Sequence, residues 1–186
     1  MEVKGVAFLA RQQLMVQAHG EQVWREFLAD FSQRDPTFNQ PVMPVTRLPV
    51  ESFLRLNEAL VMRFYKGDQR TYWQFGMKSA EHALSQGHLR GMFVPGDYRR
   101  FMHFAPGIWK GYFTEGELQV KPEERYFEMR LTKVARPHAY FELSVMGFIA
   151  GGLAFLGAKQ LQHEALKGFT RGDSEVVYRF FLPAGA

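Results

Sequence analysis

The chain contains no cysteine, which excludes disulfides, thiol catalysis and thiolate metal sites. It also lacks an apolar run of the roughly 20 residues that a membrane span requires. Met1-Glu-Val-Lys-Gly5 has no charged lead followed by an apolar core and a cleavage site. No secretion signal is therefore expected, and the reading is a cytoplasmic protein that is not integral to a membrane. The dinucleotide pattern G-x-G-x-x-G is missing, since Gly147-x-x-x-Gly151-Gly152 has other spacing. There is no His-x-x-x-His pair and no phosphate loop, and neither Ser79 nor Ser144 sits in a nucleophile elbow. Glu81 and His82 are neighbours in a helical segment and cannot face each other. The chain is therefore read as a non-enzyme. Charge of one sign is also modest, at net +4. Arg63, Lys66, Arg70, Arg99, Arg100 and Lys110 read as solvated helix faces, with no helix-turn-helix or aromatic sheet motif beside them. No nucleic-acid partner is expected.

What is abundant is aromatic and small. The 186 residues include 18 Phe, 7 Tyr, 3 Trp and 17 Gly. That supply of rings builds a large interior and can also line a ligand cavity. The stretch Ser144-Val-Met-Gly-Phe-Ile-Ala-Gly-Gly-Leu-Ala-Phe-Leu-Gly-Ala158 carries no charge. Val145, Ile149, Leu153 and Leu156 recur at helical spacing. Each interior glycine costs a helix about 1 kcal/mol against alanine. The stretch is therefore read as a buried central helix whose backbone another element approaches closely.

In chain order, helices are expected over 5–18 and from Val23 through Phe31, with Gly20 between them. Pro36, Pro41, Pro44 and Pro49 mark a connecting loop, with an extended piece at Val42–Val45. A third helix starts after Pro49, and a fourth runs over 69–85 with Trp73, Gly76, Ala80 and Leu84 on one face. A fifth follows Asp97, and Pro106 is expected to kink or split it. The period then shortens to two. Gly116–Lys121 and Arg125–Ala135 read as paired strands, and Gln160–Leu166 and Glu175–Leu182 as two more. The fold class is α+β: N-terminal helices, then a β-β-α-β-β antiparallel unit on the central helix, in one domain spanning 1–186.

Several segments resemble known families. Lys4-Gly-Val-Ala-Phe8 and His19-Gly-Glu-Gln-Val-Trp24 resemble the opening of heme-nitric oxide/oxygen-binding (H-NOX) domains. Met146-Gly-Phe-Ile-Ala-Gly-Gly-Leu153, Glu164, Gly172-Asp173 and Val177-Tyr-Arg-Phe180 resemble the 4-vinyl reductase domain. These families share a fold with the small TRAPP tethering subunits. Ser79-Ala-Glu-His-Ala83 and Ala105-Pro-Gly-Ile-Trp109 are similar to a group of that superfamily common in myxobacteria.

The resemblance implies candidate sites. In H-NOX domains a helix histidine binds heme iron and a Tyr-x-Ser-x-Arg strand holds the propionates. Tyr126-Phe-Glu-Met-Arg130 matches in part, with a repelling Glu128 in the serine's place, and His103 is the nearby histidine. The expectation is no cofactor, with heme disfavoured. Zinc is disfavoured too. Glu164 matches the metal-binding glutamate of 4-vinyl-reductase-type domains, but Lys167, Gly168 and Val176 stand at or near the cysteine positions. The resemblance further implies a ligand wall of Met102, His103, Phe104, Trp109, Phe113, Phe141, Met146, Phe148 and Phe155. The expected function is a non-catalytic sensory or regulatory module that takes a hydrophobic small molecule or lipid, as a homodimer or with a signalling partner protein. The alternative is a dimeric TRAPP-like scaffold without ligand.

Overall fold

The computed structural model describes residues 1–182. They form an α+β chain that divides into two compact units: Met1–Thr71 with Gly111–Thr114, and Tyr72–Lys110 with Glu115 onward.

The first unit begins with a two-stranded ribbon. Strand β1 (Glu2–Lys4) pairs antiparallel with β2 (Arg47–Pro49), Val3 opposite Leu48, and both of those side chains are buried. The extended piece expected at Val42–Val45 thus lies a few residues later. Helices α1 (Gly5–His19) and α2 (Glu21–Ser32) meet at Gly20, whose φ of +90° suits glycine. A chain of rings joins Phe8, Trp24, Phe27, Phe31 and Phe38 at centroid spacings of 5.4–6.0 Å. Helix α3 (Val50–Tyr65) adds the buried Phe53, Leu56 and Leu60. The loop before β2 is anchored by buried Asp35, which accepts from Arg55 at 2.7 Å and from the Thr37 and Ser52 donors. Burial alone raises the Asp35 pKa, but these donors outweigh it and hold the carboxyl below its ordinary range.

The second unit contains helices α4 (Thr71–Ser85, whose first residue counts with the first unit), α5 (Tyr98–Tyr112, whose last two residues do) and α6 (Ala139–Phe155). Its antiparallel sheet is built from β3 (Glu117–Pro122), β4 (Tyr126–Thr132), β5 (Gln162–Lys167) and β6 (Val176–Phe181), in the order β3-β4-β6-β5. Alternation along β4 buries Phe127, Met129 and Leu131 and leaves Tyr126, Glu128, Arg130 and Thr132 half-exposed. Val176, Tyr178 and Phe180 continue the buried face on β6.

Helix α5 runs unbroken through Pro106, so the proline does not split it. Its buried face of Phe101, Met102, Ala105, Ile108 and Trp109 is continuous across the proline. Packing of that face outweighs the local cost of the missing N–H. Helix α6 starts earlier than its uncharged stretch and takes in Glu142. It is buried nearly all round.

The glycines explain how it is enclosed. Gly76 of α4 faces the backbone of Ser144 and Gly147, while Gly147 and Gly151 face the backbone of Trp73 and Met77. On another side, Gly152 admits the ring of Phe101. A methyl on Gly151 would lie 2.6 Å from Met77 Cα, and backbone cannot rotate aside. Gly107 in α5 has open space where its Cβ would stand. Gly151→Ala is therefore expected to destabilise by roughly 1–3 kcal/mol through overpacking. Gly107→Ala is expected to be neutral or to stabilise by up to about 1 kcal/mol. Urea unfolding of both variants checks the contrast, and equal effects would contradict the close approach.

Candidate functional site

The nine expected wall residues fall into different environments. Met102, Phe141 and Met146 are fully buried. Trp109 meets Phe141 edge-on at 6.1 Å, and its indole N–H donates to the Gly116 carbonyl at 3.1 Å, so that donor is engaged within the protein. Phe148 is half-buried, whereas His103, Phe104 and Phe155 are exposed. Phe113 is buried and belongs to the first unit, where it bridges to Val3. The structure thus brings Trp109 and Phe141 together in the core and sets His103, Phe104 and Phe155 at the surface. None of the nine lines the open groove of about 630 Å³ on the first unit, which is bounded by Arg25, Ser32, Gln33, Phe38 and Asn39.

His103 sits on the solvent side of α5. Its Nδ1 is 2.7 Å from the Arg99 carbonyl one turn back, and its ring meets Phe127 edge-on at 6.3 Å. An imidazole tied through Nδ1 donates there and keeps Nε2 as a free acceptor, the arrangement of a metal-ligating histidine. Tyr126, Glu128 and Arg130 do not join it. Phe127 packs near His103, and strand alternation sends its neighbours to the opposite face of the sheet. There they are already paired: Arg130 with Glu175 at 2.7 Å, Glu128 with Arg179 at 3.2 Å, and Tyr126 under the Arg179 guanidinium at 4.9 Å.

On the buried face lies a polar group that the sequence pattern did not mark. Glu142, in the first turn of α6, is buried and accepts three hydrogen bonds. They come from Thr170 N–H at 2.7 Å, Thr170 Oγ1 at 3.0 Å and the Tyr178 hydroxyl at 2.9 Å. The helix N-terminus favours its negative charge. Burial, reinforced by this carboxylate, pushes the Tyr178 phenol well above its ordinary pKa. Gly168 leaves room for the carboxylate, which a Cβ there would strike. The Asp173 carboxylate accepts the Gly168 N–H at 2.8 Å, and Gly172 takes φ +83°, closing the loop that carries Thr170. His163 stacks on Trp73 at 4.7 Å, and burial lowers its pKa, which favours the neutral ring. His163 and its neighbour Glu164 point to opposite faces of the sheet, Glu164 toward Arg179. Among the described residues no group of three or more His, Asp or Glu side chains converges to hold a metal ion.

No family model matches the sequence, and no curated protein matches it. Solved structures do match its fold. An H-NOX protein from S. oneidensis in the Fe(II) ligation state shares 16% identity at a TM-score of 0.74, covering 97% of this chain and 96% of that one. A variant of the Tt H-NOX domain gives 14% identity and a TM-score of 0.74, covering 98% and 96%. An oxygen-binding H-NOX domain related to soluble guanylate cyclases gives 14% identity and a TM-score of 0.70, covering 96% and 94%. The chain has the H-NOX fold.

These likenesses overturn the expectation that heme is disfavoured. Structures of this fold include H-NOX domains described by their iron ligation, bound oxygen and heme redox potential. A partial match in one strand weighs less than a likeness spanning nearly the whole chain. On the residues present, His103 would hold a heme iron through Nε2, and the strand Tyr126–Arg130 does not fit as a propionate cradle, because its polar side chains are paired on the other face of the sheet.

Glu142→Gln can keep its oxygen on the Thr170 N–H and turn its NH2 toward the Thr170 and Tyr178 hydroxyl oxygens, which then lose their charged acceptor. It is expected to lower stability by roughly 1–3 kcal/mol. Tyr178→Phe, which removes one hydrogen bond to the charged group, is expected to cost about 1.5–3 kcal/mol. Denaturant unfolding with unchanged far-UV circular dichroism checks both. A neutral outcome for both would show that the buried carboxylate is held by something else.

Proposed function

We propose, starting from the H-NOX fold, that the chain is a non-catalytic ligand-binding sensory module and that heme is its ligand through His103. The observation that carries the reading is the geometry of that imidazole: exposed on α5, with Nδ1 fixed 2.7 Å from the Arg99 carbonyl and Nε2 open. An anchored ring binds a metal in one orientation and loses little freedom in doing so. Bound heme would supply an iron centre for a diatomic gas, as the oxygen complex of a related fold indicates. His103 would hold the iron, and the Arg99 carbonyl would fix the tautomer. Arg99 also lies over the Phe127 ring at 5.8 Å, which steadies the turn of α5 that carries both residues. The propionates would have to find partners other than Tyr126 and Arg130.

The same module reading extends to other hydrophobic ligands, aromatic or acyl, because Met102, Phe141 and Met146 give α5 and α6 an apolar interior that a flexible methionine can reshape. A dimeric scaffold related to TRAPP subunits rests on the sequence motifs alone.

Titration of the purified chain with hemin, followed by visible absorption, tests the heme assignment. A Soret band saturating at one equivalent is expected. His103→Ala is expected to shift that band and weaken binding by more than about 100-fold, the upper end of what losing a mere ligand-supporting group costs. No saturable band, or an identical band in the variant, would overturn the assignment. Native mass spectrometry of the hemin-free protein then shows whether an acyl or aromatic compound co-purifies.

A further inference from the structure

One end of the second unit presents apolar side chains to water among cationic ones. The turn after α4 reads Arg90-Gly-Met-Phe-Val-Pro-Gly96. Val94 at its tip is 60% exposed, and Phe104 and Phe155 are 41% and 45% exposed. These positions converge. The Gly96 N–H donates to the Leu156 carbonyl at 2.9 Å, which sets the turn against the end of α6 beside Phe155. Phe93 meets Phe104 at 5.8 Å and Phe101 at 5.5 Å. The turn is closed by its own bonds: Asp97 Oδ2 accepts the Val94 N–H at 3.0 Å, and the Asp97 N–H returns to the Val94 carbonyl at 3.0 Å. Valine is therefore held outward on an ordered turn. A run of apolar residues at a surface tip needs a reason, because water disfavours it.

The surrounding charge supplies one. Arg90, Arg99, Arg100 and Lys159 are exposed on the segments that form this end. The Arg100 guanidinium lies over the Phe93 ring at 5.6 Å. Between Arg90 and Phe104 the chain carries three arginines against one carboxylate, Asp97, which pairs with Arg100 at 3.6 Å. No helix among the described residues is long and apolar enough to cross a membrane.

We propose that this face docks on an anionic lipid surface. Val94 and Phe104 enter the interfacial layer, and the arginines meet headgroup phosphates and carboxylates. Charge complementarity selects the occupant, and the shape agrees with it. Gly91, Val94, Pro95 and Gly96 are all exposed, so the turn is a tip that inserts between headgroups rather than a groove that receives a peptide.

Co-sedimentation of the full chain with phosphatidylcholine vesicles, with and without roughly 30 mol% phosphatidylserine, is the test. Binding only to the anionic vesicles is expected, and it should fall at about 0.5 M salt, where screening shortens the reach of the arginines. Val94→Ser, and separately Arg90→Gln with Arg100→Gln, are each expected to reduce the bound fraction at least about fivefold. Val94→Ser should leave the unfolding midpoint unchanged, and the double arginine variant should lower it only slightly, through the lost contacts of Arg100 with Phe93 and Asp97. Absence of binding to anionic vesicles at low salt, or equal binding by the variants, would overturn the proposal. A concentration-dependent dimer in sedimentation velocity that Val94→Ser dissociates, with no vesicle binding, would assign the face to a second copy and also overturn it.

Discussion

The second unit depends on two helix backbones meeting without side chains between them. Gly76 on α4 and Gly147 and Gly151 on α6 let each backbone approach the other where a Cβ would strike it. The dispersion gained by atoms in direct contact replaces what larger side chains would bury. The isolated helix would be penalised for these glycines, so α6 is helical because of its surroundings. Phe101 entering at Gly152 ties α5 to the same rod, and the buried faces of β4 and β6 complete the enclosure.

Polar groups then fix details that apolar packing leaves loose. Glu142 joins the start of α6 to the β5–β6 loop through Thr170 and to β6 through Tyr178. A buried carboxylate with three donors specifies one register of helix against sheet, because any slip would leave a charge unpaired. The opposite face of the sheet is held differently. Arg130, Arg179 and Lys167 alternate with Glu128 and Glu175 in partly exposed pairs, each worth at most about 1 kcal/mol.

Sequence periodicity carried most of this architecture. The uncharged glycine-dotted stretch, the alternation from Tyr126 to Thr132 and the change of period after α5 are local signals, and local signals survive folding. The misjudgements were tertiary. Pro106 looked like a break because the local cost was visible and the continuous buried face of α5 was not. Glu142 was hidden because a charged residue next to an apolar run reads as a boundary, and its partners Thr170 and Tyr178 lie far along the chain. For the site, residue types could name His103 but not the 2.7 Å tie to Arg99 that orients it. They could group nine residues but not show that five of them, Met102, Trp109, Phe113, Phe141 and Met146, would be buried. Glu128, in the place where the H-NOX motif has serine, is one local change, whereas the shared fold spans nearly the whole chain.

His103 and the exposed turn at Val94 both depend on α5 being held rigid, and α5 is held by α6, which α4 encloses in turn. Amide hydrogen exchange measures that dependence directly. The amides of Trp73–Met77 in α4 and Gly147–Gly151 in α6 are predicted to exchange through one shared opening, with the same free energy and the same denaturant dependence. Exchange of the α4 amides through a separate, lower-energy opening while α6 stays protected would contradict the account.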